Sequence, residues 1–320
     1  MAVIMVTGAC GIIGEKVCSG LLKKGHTVIA VDKQPSEYNA QKERYFFYQA
    51  EPTESDKYEK IFDKENIESV VHLACSADND FGYTFTETEM EISRKCDEFI
   101  YKYAVQHDVR QFMLMSTTQV YATQKTREPI NEEGDIKPIT NYAKMKLASE
   151  RAFATEIKNS KIMVGAIMRV APVYMMNFYD NLTAKIIDQK TGRAFMYLKG
   201  DYGFQFCCVH NVSDFVICFV RDAESKNYTG IYNVCDTYVT KAVQIVNFMR
   251  IHHSLGAVLQ REEPSGKDMI KNIIGKFKKN DEEKTNYRYL DIANILNTNM
   301  IDNKKALKIS TFRWNIENTK

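Results

Sequence analysis

Two side chains in this sequence have the types and the spacing needed for acid–base chemistry: Tyr142 and, four residues later, Lys146. They stand at the start of a helical pattern over residues 141–157, and residues four apart on a helix share one face. A phenol of pKa about 10 is a poor base at neutral pH, but an adjacent ammonium favours the phenolate and lowers that pKa. The pair therefore predicts a general base that could take a proton from an alcohol.

The Tyr and Lys spacing alone does not identify a site. It occurs at two other places, which begin at Tyr38 and Tyr121, and an exposed helical Tyr and Lys would give the same pattern. Only Tyr142 opens a long amphipathic helix, where both side chains can reach one cleft. The hypothesis therefore depends on a glycine-rich loop near the start of the chain.

The segment TGACGIIG places three glycines between a first strand and a first helix. Glycines there permit a tight turn, close helix packing and the approach of backbone N–H groups to a pyrophosphate, and the helix N-terminus adds partial positive charge. A dinucleotide cofactor is the ligand that this loop predicts. The loop residues expected to contact it are Gly8, Cys10, Gly11, Ile12, Ile13 and Gly14.

The acid Asp32 ends the second strand at the position where a carboxylate can accept both ribose hydroxyls of NAD. The same carboxylate would repel the additional phosphate of NADP, so NAD is the expected cofactor. Lys33 beside it leaves some tolerance for NADP. The alternative is that Asp32 is a surface residue that caps a turn before Pro35.

Short apolar strands alternate with longer amphipathic segments through the first half of the chain, and a helical pattern at 86–107 precedes the one at 141–157. Such strands predict a parallel sheet covered on both faces, a doubly wound α/β fold. The expected strands are residues 3–7, 27–32, 44–49, 69–74, 111–116 and 162–168, and a later one at 230–235. The lysine-rich stretch 267–284 reads as a solvated helix or loop.

Composition excludes several classes of partner. Lys and Arg number 43 and Asp and Glu 41, a net charge of +2, so no field would recruit nucleic acid. No apolar run has the length of a membrane span, and the first residues lack a basic leader. The eight cysteines contain no C-x-x-C pair, which favours a reducing compartment and no metal site. We expect a cytoplasmic protein that binds neither membrane nor metal.

Taken together, these motifs resemble the extended short-chain dehydrogenase/reductase family, the NAD-dependent sugar epimerases and dehydratases. The similar segments are TGACGIIG, HLA at 72–74, YAKMK at 142–146, FCCVHNVSD at 206–214 and GIYNV at 230–234. The resemblance implies a Rossmann-type domain over 1–172, to which 206–235 return. It also implies a smaller C-terminal α/β substrate-binding region formed by 173–205 and 236–320. A homodimer that packs helices near 86–107 and 141–157 is the further implication.

The resemblance also assigns roles within the segment STTQVYA. The intervals from Thr117 to Tyr121 and to Tyr142 match those of the family's catalytic hydroxyl. Thr117, Tyr142 and Lys146 are therefore the expected catalytic residues, although strand packing would also explain the hydroxyls. Further cofactor contacts are implied for Asp32, Lys33, Glu51, Leu73, Ala74, Cys75, Tyr142, Lys146 and Arg169. Substrate contacts are implied for Thr117, Thr118, Gln119, Pro172, Tyr174 and Phe204.

Several positions depart from the family pattern. Thr118 and Gln119 replace the Asp and Glu that eliminate water in nucleotide-sugar 4,6-dehydratases, which disfavours that reaction. Pro172 stands where an Asn often contacts a nucleotide sugar, and Phe204 where an Arg often contacts a diphosphate. A neutral aromatic cannot make the charge-assisted pair of a guanidinium. Cations that could replace that Arg are Arg193, Lys199, Arg261 and Arg288.

Three functions remain compatible with the sequence. The first is an NAD-dependent epimerase of a sugar nucleotide or related sugar, which transiently oxidises a ring hydroxyl. The second is an NAD(P)-dependent dehydrogenase or reductase of a non-nucleotide alcohol or ketone, which the missing Arg favours. The third is a dinucleotide-binding regulator, against which the intact Tyr142 and Lys146 pair argues. His72, inside a strand, is expected to be a core or cofactor-adjacent group rather than a base.

Overall fold

The computed structural model describes residues 1–36, 43–75, 86–124, 128–188, 191–261 and 299–320. The lysine-rich stretch 267–284 and Arg288 lie outside the described residues. The described strands are β1 (Val3–Thr7), β2 (Thr27–Asp32), β3 (Tyr45–Gln49), β4 (Ser69–His72), β5 (Gln111–Thr117), β6 (Val164–Val170), β7 (Val173–Tyr174), β8 (Ala194–Tyr197), β9 (Gly203–Phe204), β10 (Cys207–Cys208), β11 (Gly230–Val234), β12 (Thr240–Lys241) and β13 (Val258–Arg261). The described helices are α1 (Ile12–Lys23), α2 (Ser55–Lys64), α3 (Glu87–Gln106), α4 (Asn141–Ile157), α5 (Asp180–Thr183), α6 (Val209–Lys226), α7 (Ala242–His252) and α8 (Lys304–Leu307).

Seven of these strands form one parallel sheet in the order β11-β6-β5-β4-β1-β2-β3. Its central strands are apolar along their length because both faces are covered by helices. The chain starts in the middle, builds outward to β3, and then crosses to β4 on the other side of β1. The predicted Rossmann-type doubly wound fold is confirmed. Its topological switch point lies between β1 and β4, at the carboxyl ends of the strands.

Two strands, β6 and β4, differ from the expectation by two residues, and β3, β5 and β11 differ by one residue at one end. β6 covers Val164–Val170 rather than 162–168, because Ile162 is 51% exposed and pairing begins where Val164 joins Gln111. β4 ends at His72 rather than at 74, although Leu73 still donates its N–H to the Thr7 carbonyl at 3.2 Å. As a result, β6 extends two residues further toward the carboxyl edge of the sheet, and residues 73–74 belong to the loop at that edge.

Helices pack on the two faces as separate layers. α1 and α6 pack together on one face, and α3 packs on α4 and α2 on the other. α3 begins with a capping box in which Thr86 and Glu89 bond each other's backbone N–H groups, an arrangement that satisfies two otherwise unpaired donors. In the described part of the chain, no helix is both long and apolar enough to cross a membrane.

A third apolar cluster lies outside the large sheet. It joins β8, β9 and α7 with aromatic side chains such as Tyr174, Phe204 and Phe206. Short two-stranded pairings of β8 with β13 and β9 with β12 support it. Most of this cluster falls within the region expected to bind substrate, whose boundaries remain a prediction.

Residues 299–320 return to the edge of the sheet at Asn233 in β11. The Asn233 side chain is fully buried and donates hydrogen bonds to the carbonyl oxygens of Ile130 and Asp302, each at 3.1 Å. It also accepts the Tyr121 hydroxyl at 2.7 Å. One buried amide therefore joins three segments that are distant in sequence.

Candidate active site

A cavity of about 570 Å³ opens at the carboxyl edge of the sheet, beside the switch point. Parallel strands place the loops that follow them at the same edge, where ligands of doubly wound sheets bind. The cavity is lined by Gly8, Cys10, Gly11, Ile12, Ile13, Gly14, Val31, Asp32, Lys33, Gln34, Ala50, Pro52, Tyr58, Leu73, Ala74, Cys75, Met115, Ser116, Thr117, Gln119, Thr140, Asn141, Tyr142, Val170, Ala171, Pro172, Val173, Phe178 and Asn181.

The glycine loop forms one wall of this cavity. It needs glycine because side chains there would not fit. A Cβ on Gly14 would lie 2.1 Å from the Gly8 carbonyl oxygen, and Gly8 itself has a φ of +69°. A Cβ on Gly8 would meet the Ala74 nitrogen at 2.9 Å. The backbone is thus exposed to the cavity at the start of α1, as a pyrophosphate would require.

Asp32 is fixed beside the loop by two backbone donors. Its Oδ2 accepts the Cys10 N–H at 2.8 Å and its Oδ1 accepts the Gln34 N–H at 2.9 Å. These bonds hold the carboxylate at the cavity wall, with Lys33 next to it. The residues present therefore fit the ribose of an NAD-type dinucleotide.

Tyr142 reaches the cavity because α4 starts immediately before it. The Thr140 hydroxyl caps the helix by accepting the Ala143 N–H at 3.1 Å, which fixes the direction of the first turn. Burial raises the pKa of the Tyr142 phenol above its ordinary value, while the Lys146 ammonium acts to lower it and Cys75 to raise it. The balance in the protein alone favours the protonated phenol.

Lys146 lies one turn further along α4 and is 3% exposed. Burial acts to lower its pKa, but Cys75, Tyr142, Asp97 and Cys96 act to raise it, and the pKa stands above its ordinary value. The ammonium is therefore the stable form at neutral pH. It supplies a fixed positive charge behind the phenol.

Thr117 ends β5 and lines the same cavity. Its Oγ1 accepts the Gln119 N–H at 3.2 Å, which leaves the hydroxyl proton for donation to a ligand. Ser116 has a different role, because its hydroxyl donates to Glu150 at 2.5 Å inside the protein. The two neighbouring hydroxyls are thus distinguished by what they contact.

Most of the residues expected from the sequence lie together at the cavity. The cofactor set that lines it is Gly8, Cys10, Gly11, Ile12, Ile13, Gly14, Asp32, Lys33, Leu73, Ala74, Cys75 and Tyr142, and the substrate set is Thr117, Gln119 and Pro172. Lys146 is buried behind them. Their assigned roles remain predictions.

Besides Lys146, five expected contacts do not line the cavity. Glu51 is exposed on the surface, and Thr118 is buried at the start of the short 3-10 turn Thr118–Val120. The Tyr174 hydroxyl donates to Asp236 at 2.6 Å in the third apolar cluster. Phe204 is fully buried in that cluster, with the Lys185 ammonium 5.3 Å from its ring centre.

Arg169, the fifth, is paired inside the protein instead of facing a cofactor. Its guanidinium donates to Glu150 on α4, with the shortest bond at 2.7 Å, and the two side chains are 5% and 4% exposed. A buried, multiply bonded pair of this kind orients the groups that carry it. It holds β6 and α4 together, and so fixes the helix that carries Tyr142.

Sequence reasoning missed several lining residues, among them Thr140, Asn141, Phe178 and Asn181. Thr140 precedes a helix at a typical N-cap position, a signal that could have been read. Phe178 precedes the four-residue helix α5, which is too short to show periodicity, and Asn181 lies in that helix and donates to the Val173 carbonyl at 2.8 Å. No sequence pattern would have placed them at the cavity.

A glycine loop at the switch point, followed by an acid at the end of the next strand, defines a dinucleotide-binding protein of the Rossmann type. The chain belongs to the NAD dependent epimerase/dehydratase family, whose model matches residues 4–235. Membership confirms the predicted cofactor, NAD.

Individual relatives are distant. The chain is 27% identical to dTDP-D-glucose 4,6-dehydratase of Dictyostelium discoideum over 53% of its own length and 44% of that protein. It is 26% identical to UDP-glucose 4-epimerase of Halalkalibacterium halodurans over 47% and 45%. The chain thus aligns with about half the length of the curated relatives it matches. A solved UDP-glucuronic acid 4-epimerase from Bacillus cereus, in complex with NAD, has the same fold with a TM-score of 0.71, 16% identity, and coverage of 99% and 95%.

We expect Asp32→Asn to weaken NAD binding by about tenfold or more, since hydrogen bonds to a charged group contribute about 1.5–3 kcal/mol. The variant would also lose the repulsion between Asp32 and the additional phosphate of NADP, which should narrow the preference for NAD over NADP. Titration of both cofactors into stripped protein, monitored by calorimetry, measures the two affinities. Gln34→Ala, a change at another lining residue, serves as control. An unchanged ratio of the two affinities would remove Asp32 from cofactor selection.

Proposed function

We propose that this protein is an NAD-dependent epimerase that inverts a hydroxyl-bearing carbon of a sugar nucleotide or related sugar. The observation that supports it best is the convergence of Thr117 and Tyr142 on one cavity, with the buried ammonium of Lys146 behind the phenol. The glycine loop and Asp32 line the same cavity. A tuned phenol at a dinucleotide site serves proton transfer, for which a regulator has no need.

When bound, NAD would supply the hydride acceptor and a positive charge near the phenol. Tyr142 would take the proton of a substrate hydroxyl as that carbon loses hydride, and Thr117 would donate a hydrogen bond to the same oxygen. The resulting ketone would turn within the cavity and recover hydride on its other face. Tyr142 would then return the proton, so no net oxidation occurs.

The second candidate is a dehydrogenase or reductase of a less charged alcohol or ketone. Among the described residues that line the cavity, the charged ones are Asp32 and Lys33, both at the cofactor wall. The opposite part carries Pro172, Val173 and Phe178, which suit an apolar ligand. Of the proposed replacement cations, Arg261 is bonded to Asp188 at 2.6 Å, and Arg193 and Lys199 are exposed.

Incubation with UDP-, GDP- and dTDP-sugars, without added NAD, distinguishes the two candidates. An epimerase recycles its cofactor, so we expect at least one sugar nucleotide to yield its epimer, detected by chromatography. Heat-denatured protein is the control for spontaneous change. If every sugar is inert while added NAD is reduced in the presence of a simple alcohol, the dehydrogenase proposal replaces the epimerase.

Tyr142→Phe should retain bound cofactor but lose at least about a hundredfold in turnover, because a positioned acid or base contributes about 10²–10⁴. The measurement is turnover of the substrate found in the panel, with cofactor content determined by absorbance. Tyr238→Phe, at a residue 74% exposed, is the matched control. Activity retained in Tyr142→Phe would exclude this phenol from the mechanism.

A homodimer through α3 and α4 also belongs to this proposal. Ala148 lies on the exposed side of α4, away from the residues that pack on the sheet. Ala148→Arg would then bury an unpaired charge at the interface, so we expect sedimentation to report about half the mass of the unchanged protein. Ile251→Arg, at an α7 residue 74% exposed, should leave the mass unchanged. If Ala148→Arg and Ile251→Arg sediment with equal masses, the interface through α3 and α4 is excluded.

A further inference from the structure

Asp97 is a carboxylate on the inward face of α3, away from the cavity. It is 6% exposed and lies among buried helix positions that include Cys96, Ile100 and Tyr101. A charged group is rarely buried unless it is paired. The partners of Asp97 therefore indicate why the helix carries it.

The carboxylate bridges the sheet and the helix that bears Tyr142. Its Oδ1 bonds the His72 Nε2 at 2.8 Å, and its Oδ2 accepts the hydroxyl of Ser149 on α4. On the other side of the imidazole, the His72 Nδ1 bonds the Thr7 hydroxyl at 2.6 Å. Thr7 Oγ1 in turn accepts the Ala74 N–H at 3.3 Å. This series of hydrogen bonds thus runs from Ala74 at the cavity wall to Ser149 on α4.

The directions of these bonds are mutually consistent. Thr7 accepts from the Ala74 backbone and can donate to Nδ1 of His72, which places the ring hydrogen on Nε2. That hydrogen is donated to Asp97, and Ser149 donates to the second carboxylate oxygen. Every polar group in this series is then satisfied with an ionised carboxylate, which accounts for His72 as a core group rather than a base.

Lys146 precedes Ser149 by three residues, so both lie on the same face of α4. The groups that act on its ammonium are Cys75 after β4, Tyr142 on the same helix, and Asp97 and Cys96 on α3. Asp97 is the carboxylate among them. Ser149, which donates to Asp97, lies three residues from Lys146 and seven from Tyr142 along α4, so the carboxylate lies nearer the Lys146 end of the pair.

We propose that Asp97 is a positioning residue that keeps the shared proton of the catalytic pair on Lys146 rather than on Tyr142. The inference rests on the proposed function, because it concerns the base of that reaction. The pair can hold one proton in two ways, as phenolate with ammonium or as phenol with neutral amine. These two forms have the same net charge, so a nearby carboxylate selects between them by its unequal distances to the two sites.

Removing the charge should therefore delay ionisation of Tyr142. In Asp97→Asn, the amide can still accept from His72 and donate to Ser149, so the shape and bonding are kept. Lys146 would then lose its proton first, and a phenol beside a neutral amine ionises at higher pH. The expected shift is about one pH unit or more, the usual effect of a nearby charge.

The measurement is an alkaline titration of phenolate absorbance in the protein as purified. The chain has 18 tyrosines, so the titration of the same protein with Tyr142→Phe is subtracted from each titration to leave the contribution of Tyr142. Asp97→Glu, which retains the charge, and Ser149→Ala, which removes one bond to the carboxylate, should both titrate like the unchanged protein. Asp97→Thr is a second neutral variant, for use if the amide variant does not fold.

Phenolate formation at higher pH in a folded neutral variant, but not in Ser149→Ala, supports the inference. Coincident titrations of the unchanged protein and either neutral variant would overturn it, and so would an equal shift in Ser149→Ala, since packing rather than charge would then be responsible. Because the titration needs no turnover, it is independent of the sugar panel. An inactive panel therefore counts against the proposed function alone.

Discussion

Lys146 places a positive charge inside the protein, and the surrounding structure compensates for it. Removing an ion from water costs several kcal/mol unless nearby groups offset that cost, and here groups on α3, α4 and the loop after β4 raise the pKa of Lys146. The same burial that makes the ammonium costly makes its field strong, because little water screens it. Tyr142 is exposed to that field and to the opposing effect of its own burial. The pKa of the phenol stands above its ordinary value, and a bound cation would act in the same direction as Lys146, to lower it.

The parallel sheet determines which residues can take part in that balance. Because all seven strands point the same way, the ends of β1, β2, β4 and β5 present the glycine loop, Asp32, the Leu73–Cys75 turn and Thr117 at one edge. α4 must then be held against this edge so that Tyr142 meets them. The buried ion pair of Glu150 and Arg169 fixes α4 on one side, and the hydrogen bonds through Asp97 and Ser149 fix it on the other.

Local signals in the sequence were sufficient for the fold and for the cofactor, while the roles of Tyr142 and Lys146 remain predictions. Glycine spacing, strand alternation and a helix start each act over a few residues, and the structure places Gly8, Asp32 and Tyr142 at one cavity. Substrate contacts were harder to predict, because an aromatic residue suits a core as well as a pocket wall. Tyr174 and Phe204 belong to a core for that reason.

Asp97 had a readable signal that was overlooked. Together with Ser93, Ile100 and Tyr101 it follows the spacing of one helix face, and these positions are buried in α3. An acid on an otherwise buried face implies a partner. The partner itself, on a strand and a helix distant in sequence, could not be deduced without the fold.

The amide of Asn233 has a consequence for how the chain reaches its native state. It closes the outer edge of the sheet only when Asp302, far along the sequence, has arrived to accept its hydrogen bond. Contacts between distant residues require large loops to close, which slows folding relative to chains rich in local contacts. The first half could collapse early around its own strands, while completion of the β11 edge would wait for the last segment.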